Sequence, residues 1–161
     1  MAAGATYVSL ASQTLTGAAS SITFSSISGV YTDLIIVTNG AGVTSAAVIQ
    51  VELNADTTAS NYSNVYLYGD GSSAAANVQT SDKMVGRNYI AQQNNIIQFM
   101  NYSNSTSYKT ILSRSNSAGN AVNALFAIWR NNAAITSIKL LVGAGNFDTG
   151  TTFSLYGIAA A

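Results

Sequence analysis

Apolar residues recur along this chain in short runs, each bounded by clusters of glycine, serine or asparagine, the punctuation of strands and turns. Across residues 22–27, Ile22, Phe24 and Ile27 are set toward a core. Residues 33–39 form a continuous β-branched run suited to a strand covered on both faces. Residues 47–54 alternate Val48, Gln50 and Glu52 with Ile49, Val51 and Leu53, which predicts a half-buried strand. Val65 and Leu67 then alternate with Tyr66 and Tyr68 before a turn at Gly69, Asp70 and Gly71. Similar runs follow at 95–102, 109–116, 121–130 and 135–143. The run at 121–130 also fits a helix, with Val122, Leu125, Phe126 and Trp129 at helical offsets. Its flanking asparagines favour a strand that begins at Leu125 and Phe126 and ends at Trp129 and Arg130. Last, Phe153 and Leu155 alternate with Ser154 and Tyr156, a terminal strand expected to close a sheet, with the final alanines as a tail.

Eight to ten short strands without long helices predict an all-β fold, an antiparallel β-sandwich with a jelly roll as its leading version. No internal repeat or shift of composition divides the chain, so residues 1–161 are expected to be a single domain. The Ala/Ser/Asn-rich stretch at about 70–94 breaks the regularity and is expected to form an extended loop.

Composition narrows the function. The length of 161 residues suffices for a core without metal or disulfide. Hydrophobic residues make up an ordinary 48%, but charged residues only 7%, against roughly a quarter in typical soluble chains, so the polar surface must be built from hydroxyls and amides. Six basic and six acidic residues cancel, leaving no field to draw nucleic acid or anionic lipid and little repulsion between copies. The beginning of the chain lacks the basic and apolar regions of a signal peptide, and no run is long enough to span a bilayer, so a product made without conventional export is expected.

With neither histidine nor cysteine, Ser-His-Asp triads, thiol nucleophiles and the usual zinc sites are excluded. Glu52, the single glutamate, and Asp56 could flank a sugar, but carboxylates at strand ends are usually solvated. Ser81 beside Lys83, and Lys109 near several serines, carry little weight in so serine-rich a chain. The segments around Asp56 and Asp148 each bring too few carboxylates for a calcium loop and read as turns. Hence no catalytic, cofactor or metal site is expected. Nine tyrosines are the best chemical clue. The cluster Tyr62, Tyr66 and Tyr68, with Tyr102, Tyr108 and the loop residues Lys83 and Arg87, could cover a half-buried sheet face, form a subunit interface or stack on carbohydrate.

Three stretches carry a resemblance. Ser25, Ser26, Ile27, Gly29, Tyr31, Asp33 and Leu34 form an early step, Asn54 and Asp56 a middle turn, and Gly150, Thr151, Phe153, Leu155, Tyr156 and Gly157 the ending. Together they resemble virion proteins and tail-associated β-domains of tailed bacteriophages. The resemblance implies a non-enzymatic virion component, commonly oligomeric. With no shaft, heptads or collagen-like repeat in the chain, it implies a capsid decoration or cement protein, a trimer seated on the major capsid protein at the virion surface and assembled in the host bacterial cytoplasm. The alternative it leaves open is a tail-fibre or host-recognition module that binds carbohydrate.

Overall fold

A computed structural model describes residues 6–40, 47–88, 92–119 and 121–159. Its strands are β1 (Tyr7–Thr14), β2 (Ser21–Phe24), β3 (Asp33–Gly40), β4 (Ala47–Leu53), β5 (Tyr62–Gly69), β6 (Ala74–Gln79), β7 (Met84–Asn88), β8 (Gln93–Met100), β9 (Lys109–Ser117), β10 (Ala121–Trp129), β11 (Ile138–Val142) and β12 (Thr152–Ile158), with one short 3₁₀ turn at Ala59–Asn61. All pairings between these strands are antiparallel. An eight-stranded sheet runs β1-β12-β3-β8-β9-β10-β5-β6, and a four-stranded sheet runs β2-β11-β4-β7.

The chain crosses repeatedly between the layers. β2 is in the small sheet, β3 in the large, β4 in the small, β5 and β6 in the large, β7 in the small, and β11 returns to the small sheet between β2 and β4. This is the alternation of a jelly roll. The twelve strands exceed the eight to ten expected because a meander, β8–β9–β10, occupies the place of one strand, and because β1 and β12 extend the large sheet beyond β3. β12 therefore does not close the sheet, since β1 lies outside it. Residues 160–161 of the alanine tail lie outside the described residues.

Register explains the core. On the small sheet, Phe24, Ile138 and Leu53 lie side by side, as do Ile22, Leu140 and Val51. Facing them on the large sheet are the rows Leu34–Phe99–Ile111 and Leu155–Ile36–Ile97. All of these side chains are buried. The alternation read at 47–54 holds for Ile49, Val51 and Leu53, and Ile22 and Phe24 enter the core as expected, with Ile27 packed against it. β3 is covered on both faces, since Leu34, Ile35 and Ile36 are all buried.

Two expectations need correction. The segment at about 70–94 is no extended loop: it carries β6 and β7 and enters β8, although residues 89–91 lie outside the described residues. β6 and β7 are edge strands of their sheets, so neither needs the apolar content by which an interior strand is recognised. The run at 121–130 is a strand, but it starts at Ala121 and not at Leu125. Between β5 and β6 the chain does turn as predicted. Asp70 Oδ1 accepts the backbone N–H groups of Ser72 (2.9 Å) and Ser73 (2.7 Å), and Gly71 takes a φ of 87°.

Candidate functional site

The seven residues singled out in the sequence separate into different environments. Tyr62 belongs to the core. Its hydroxyl donates to the carbonyl of Asp56 (3.0 Å) and accepts the N–H of Leu53 (3.1 Å), while its ring stacks on Trp129. Burial drives its pKa well above the ordinary tyrosine value. Tyr102 is also buried, donating to the carbonyl of Ser28 and accepting the N–H of Tyr31 (3.4 Å), and burial raises its pKa as well. Neither phenol is available to a ligand. Tyr108 is exposed just before β9 and meets none of the others. Lys83 is held in an ion pair with Glu52.

Tyr66, Tyr68 and Arg87 do come together. Tyr66 and Tyr68 face the interior side of β5, with ring centroids 6.2 Å apart. The Arg87 guanidinium lies over the Tyr66 ring, 5.4 Å from its centroid, with Nη2 3.5 Å from the hydroxyl. The result is a small ledge where β7 meets the large sheet, with Tyr66 buried beneath Arg87 and Tyr68 more open. The row through Tyr68 is polar: Thr38, Asn95, Ser115 and Asn123 lie in register across the sheet.

The carboxylates most suited to acid–base work are already occupied. Glu52, only 8% exposed, receives Lys83 Nζ at 2.6 Å on one oxygen and Lys139 Nζ at 3.1 Å on the other. Burial by itself would raise its pKa; the hydrogen bonds and charges of the two lysines outweigh that and hold it below the usual carboxylate range. Asp56 sits in its turn beneath Trp129. Burial again opposes its ionisation, but it accepts Trp129 Nε1 (2.8 Å), Asn61 Nδ2 (2.8 Å) and the N–H of Thr58 (3.0 Å), and its pKa is lowered. Lys109 is fully buried and donates to the carbonyls of Ser107 (2.8 Å) and Asn132 (3.1 Å). Among the described residues, no group of three or more acidic side chains converges.

The most extensive feature was not singled out in the sequence. On the outer face of the large sheet, one row in register reads Tyr156, Ile35, Gln98, Leu112, Phe126, Val65 and Val78. The next reads Ser154, Val37, Ile96, Arg114, Ala124, Leu67 and Ala76. Leu67, Phe126, Val122 and Val78 are 51%, 53%, 60% and 61% exposed, and Val65 is also open. Shallow hollows of about 240, 340 and 280 Å³ lie on this face, the first beside Ile96, Leu112 and Arg114, the second beside Leu67, Val122 and Ala124, the third beside Ile96, Arg114, Asn116 and Val122. A signal was present in the sequence. Ala124, Leu125, Phe126 and Ala127 run without a polar alternate, which marks a strand with two apolar faces.

A larger polar hollow of about 630 Å³ at one end of the large sheet is lined by Asn39, Gln92, Gln93, Asn94 and Asn116 among others.

No family model and no curated protein matches the chain. Among solved structures, the chain is similar to exo-inulinase from Aspergillus awamori, with a TM-score of 0.50 and 14% identity over 94% of this chain. It spans 29% of the length of that chain, and at this identity the likeness is one of fold alone. Fainter similarities extend to SCP-B, a member of the eqolisin family of peptidases (TM-score 0.27, 10% identity, 91% of this chain and 65% of that one), and to a tail fiber protein from an E. coli phage (TM-score 0.28, 10% identity, 96% and 21%). Both are too distant to bear on function. What the comparisons establish is an antiparallel β-sandwich.

Proposed function

We propose that the chain is a non-enzymatic structural component of a tailed-bacteriophage virion, and within it a capsid decoration or cement protein. In this reading it sits as a trimer on the major capsid protein at the particle surface, after assembly in the bacterial cytoplasm, and takes no part in nucleic-acid or membrane binding. The observation that carries it is the outer face of the large sheet, apolar across most of its width on a chain with only 7% charged residues. A surface of that kind suits permanent cover by protein. The engagement of Glu52 by Lys83 and Lys139, and of Asp56 by Trp129, fits a molecule with no reaction centre.

The work is thermodynamic. A protein that binds only the assembled shell stabilises it by mass action, and an oligomer that touches several shell subunits at once adds an effective-concentration gain. Electron cryomicroscopy of particles carrying this chain should show it distributed over the shell. Density confined to the tail would reject decoration, and absence from purified particles would reject the virion reading altogether.

The Tyr66–Tyr68–Arg87 ledge favours a second reading, a tail or host-recognition module that holds carbohydrate. Binding of the purified protein on a glycan array, lost in Tyr68→Ala, is its expected signature; an empty array counts against it.

A further inference from the structure

We propose that the outer face of β10, β5 and β6, with the adjoining part of β9, is the surface through which this chain binds other copies of itself. The inference deepens the virion reading by naming the oligomer's interface, but its physical basis stands apart from any location in a particle. β6 is the edge of the large sheet, and from it the apolar face runs inward through Val78, Val65 and Phe126 to Leu112, and through Ala76, Leu67 and Ala124 to Arg114.

Area argues for a protein occupant. The exposed parts of Val65, Leu67, Val78, Val122 and Phe126 leave on the order of 400 Å² of apolar surface, comparable to the largest patch on a typical monomer, which is often functional. The half-buried Ile96, Leu112, Ala124 and Ile128 border it and bring the face toward the roughly 800 Å² per partner of a stable association. Shallow hollows beside Leu112 and Ala124 and beside Leu67 and Val122 give the face recesses as well as projections.

Charge argues that the occupant is another copy. A partner of opposite charge would need a charged face to recognise, and Arg114 is the single charged residue on the outward positions of β5, β6, β9 and β10 that make this one. Two such faces meet with almost no desolvated charge, and a chain with six acids and six bases offers no long-range repulsion to their approach. The opposite end of the same sheet differs. There the outer positions of β1 and β12 include two hydroxyl pairs, Ser12 with Ser154 and Thr14 with Thr152.

The test is light-scattering chromatography and sedimentation velocity of the purified chain from below to well above micromolar concentration, with Phe126→Asp, Leu67→Asp and, as a control, Tyr7→Asp. Tyr7 is a similarly exposed aromatic at the β1 edge, away from the proposed surface. The wild type and Tyr7→Asp should form the same oligomer, and each face variant should weaken association by about 100-fold or more. Circular dichroism and thermal melts of each variant at low concentration should show the wild-type fold, because Phe126 and Leu67 point away from the core. A monomeric wild type overturns the proposal, as does an oligomer that both face variants leave intact or a face that binds only a different protein. The outcomes separate cleanly from the virion reading: absence from particles leaves the interface standing, and a monomer decorating a shell removes the interface alone.

Discussion

Several of the residues that carry the phage-like resemblance, Tyr31, Asp33, Asn54 and Gly157 among them, are in the structure residues that hold the fold together. Tyr31 lies flat against Gly157 of β12, so closely that a Cβ on Gly157 would enter the Tyr31 ring. Asp33 accepts Gln98 Nε2 and the N–H of Asn101, both at 2.7 Å, and joins β3 to the end of β8. Asn54, at a φ of 51°, accepts the N–H groups of Thr136 (2.8 Å) and Ser137 (3.1 Å) through Oδ1, and donates through Nδ2 to Ala134 (2.8 Å). Such a pattern specifies a sandwich, not a place in a virion. It follows that Gly157→Ala should cost about 1–3 kcal/mol in urea unfolding by forcing the ring away, and should cost much less in a Tyr31→Ala background. Equal losses in both backgrounds would mean that the ring does not set the limit. Tyr62 and Tyr102 could not be told from Tyr66 and Tyr68 in the sequence, because Tyr62 shares the inward side of β5 with Tyr66 and Tyr68, Tyr102 lies in the turn after β8, and only distant partners separate the four. The partners that sequestered the first two, Leu53 and Ser28, belong to other strands and loops.

At the scale of the element, alternation shows that a segment is a strand without showing which face turns inward. In β5, Val65 and Leu67 are the more apolar pair, yet they face outward while Tyr66 turns in, because β5 is in register with β10, whose Leu125 and Trp129 face the core. Strands with strong apolar alternation or two apolar faces were legible as strands, and the short edge strand β6, Ala-Ala-Ala-Asn-Val-Gln, with one large apolar side chain, was not. An edge strand draws its stability from backbone pairing with one neighbour, which composition records poorly. The two faces of β10 make a direct test from adjacent residues. Leu125→Ala should lower stability by about 2–5 kcal/mol whatever the protein concentration, since it opens a cavity in the core. Phe126→Ala should change the dilute protein by only about 0.5 kcal/mol, with an effect on Tm that grows as concentration rises and association contributes. Concentration-independent losses at both positions would show that Phe126 supports the sandwich itself.

For the molecule as a whole, scarcity of charge makes the placement of each ionisable group visible in its response to pH. Glu52 and Asp56 have folded-state pKa values below their ordinary ones, so they contribute stability that is present above the ordinary carboxylate range and is lost as pH falls through the folded values. Tyr62 and Tyr102 are shifted upward by burial, so their contribution is present below about pH 10, the ordinary tyrosine value, and is lost as pH climbs beyond it. Lys109 works against the tyrosines. Burial lowers its pKa, and between that value and its ordinary one the unfolded chain holds the extra proton, so rising pH favours the folded state there. The expected profile of urea midpoint against pH is a broad plateau through neutrality, an acid limb below about pH 4 and an alkaline fall above about pH 10. Glu52→Gln should lower the plateau and flatten the acid limb, because both ion pairs are lost and the amide oxygen can accept only one of the two lysines, leaving its NH2 group, a donor, facing the other. Tyr62→Phe should lower the plateau by about 1–3 kcal/mol, as the N–H of Leu53 and the carbonyl of Asp56 lose their partner, while making the alkaline fall shallower. An acid limb that keeps its full slope in Glu52→Gln would show that the lysine-bound carboxylate, for all its burial, ionises alike in the folded and unfolded chain.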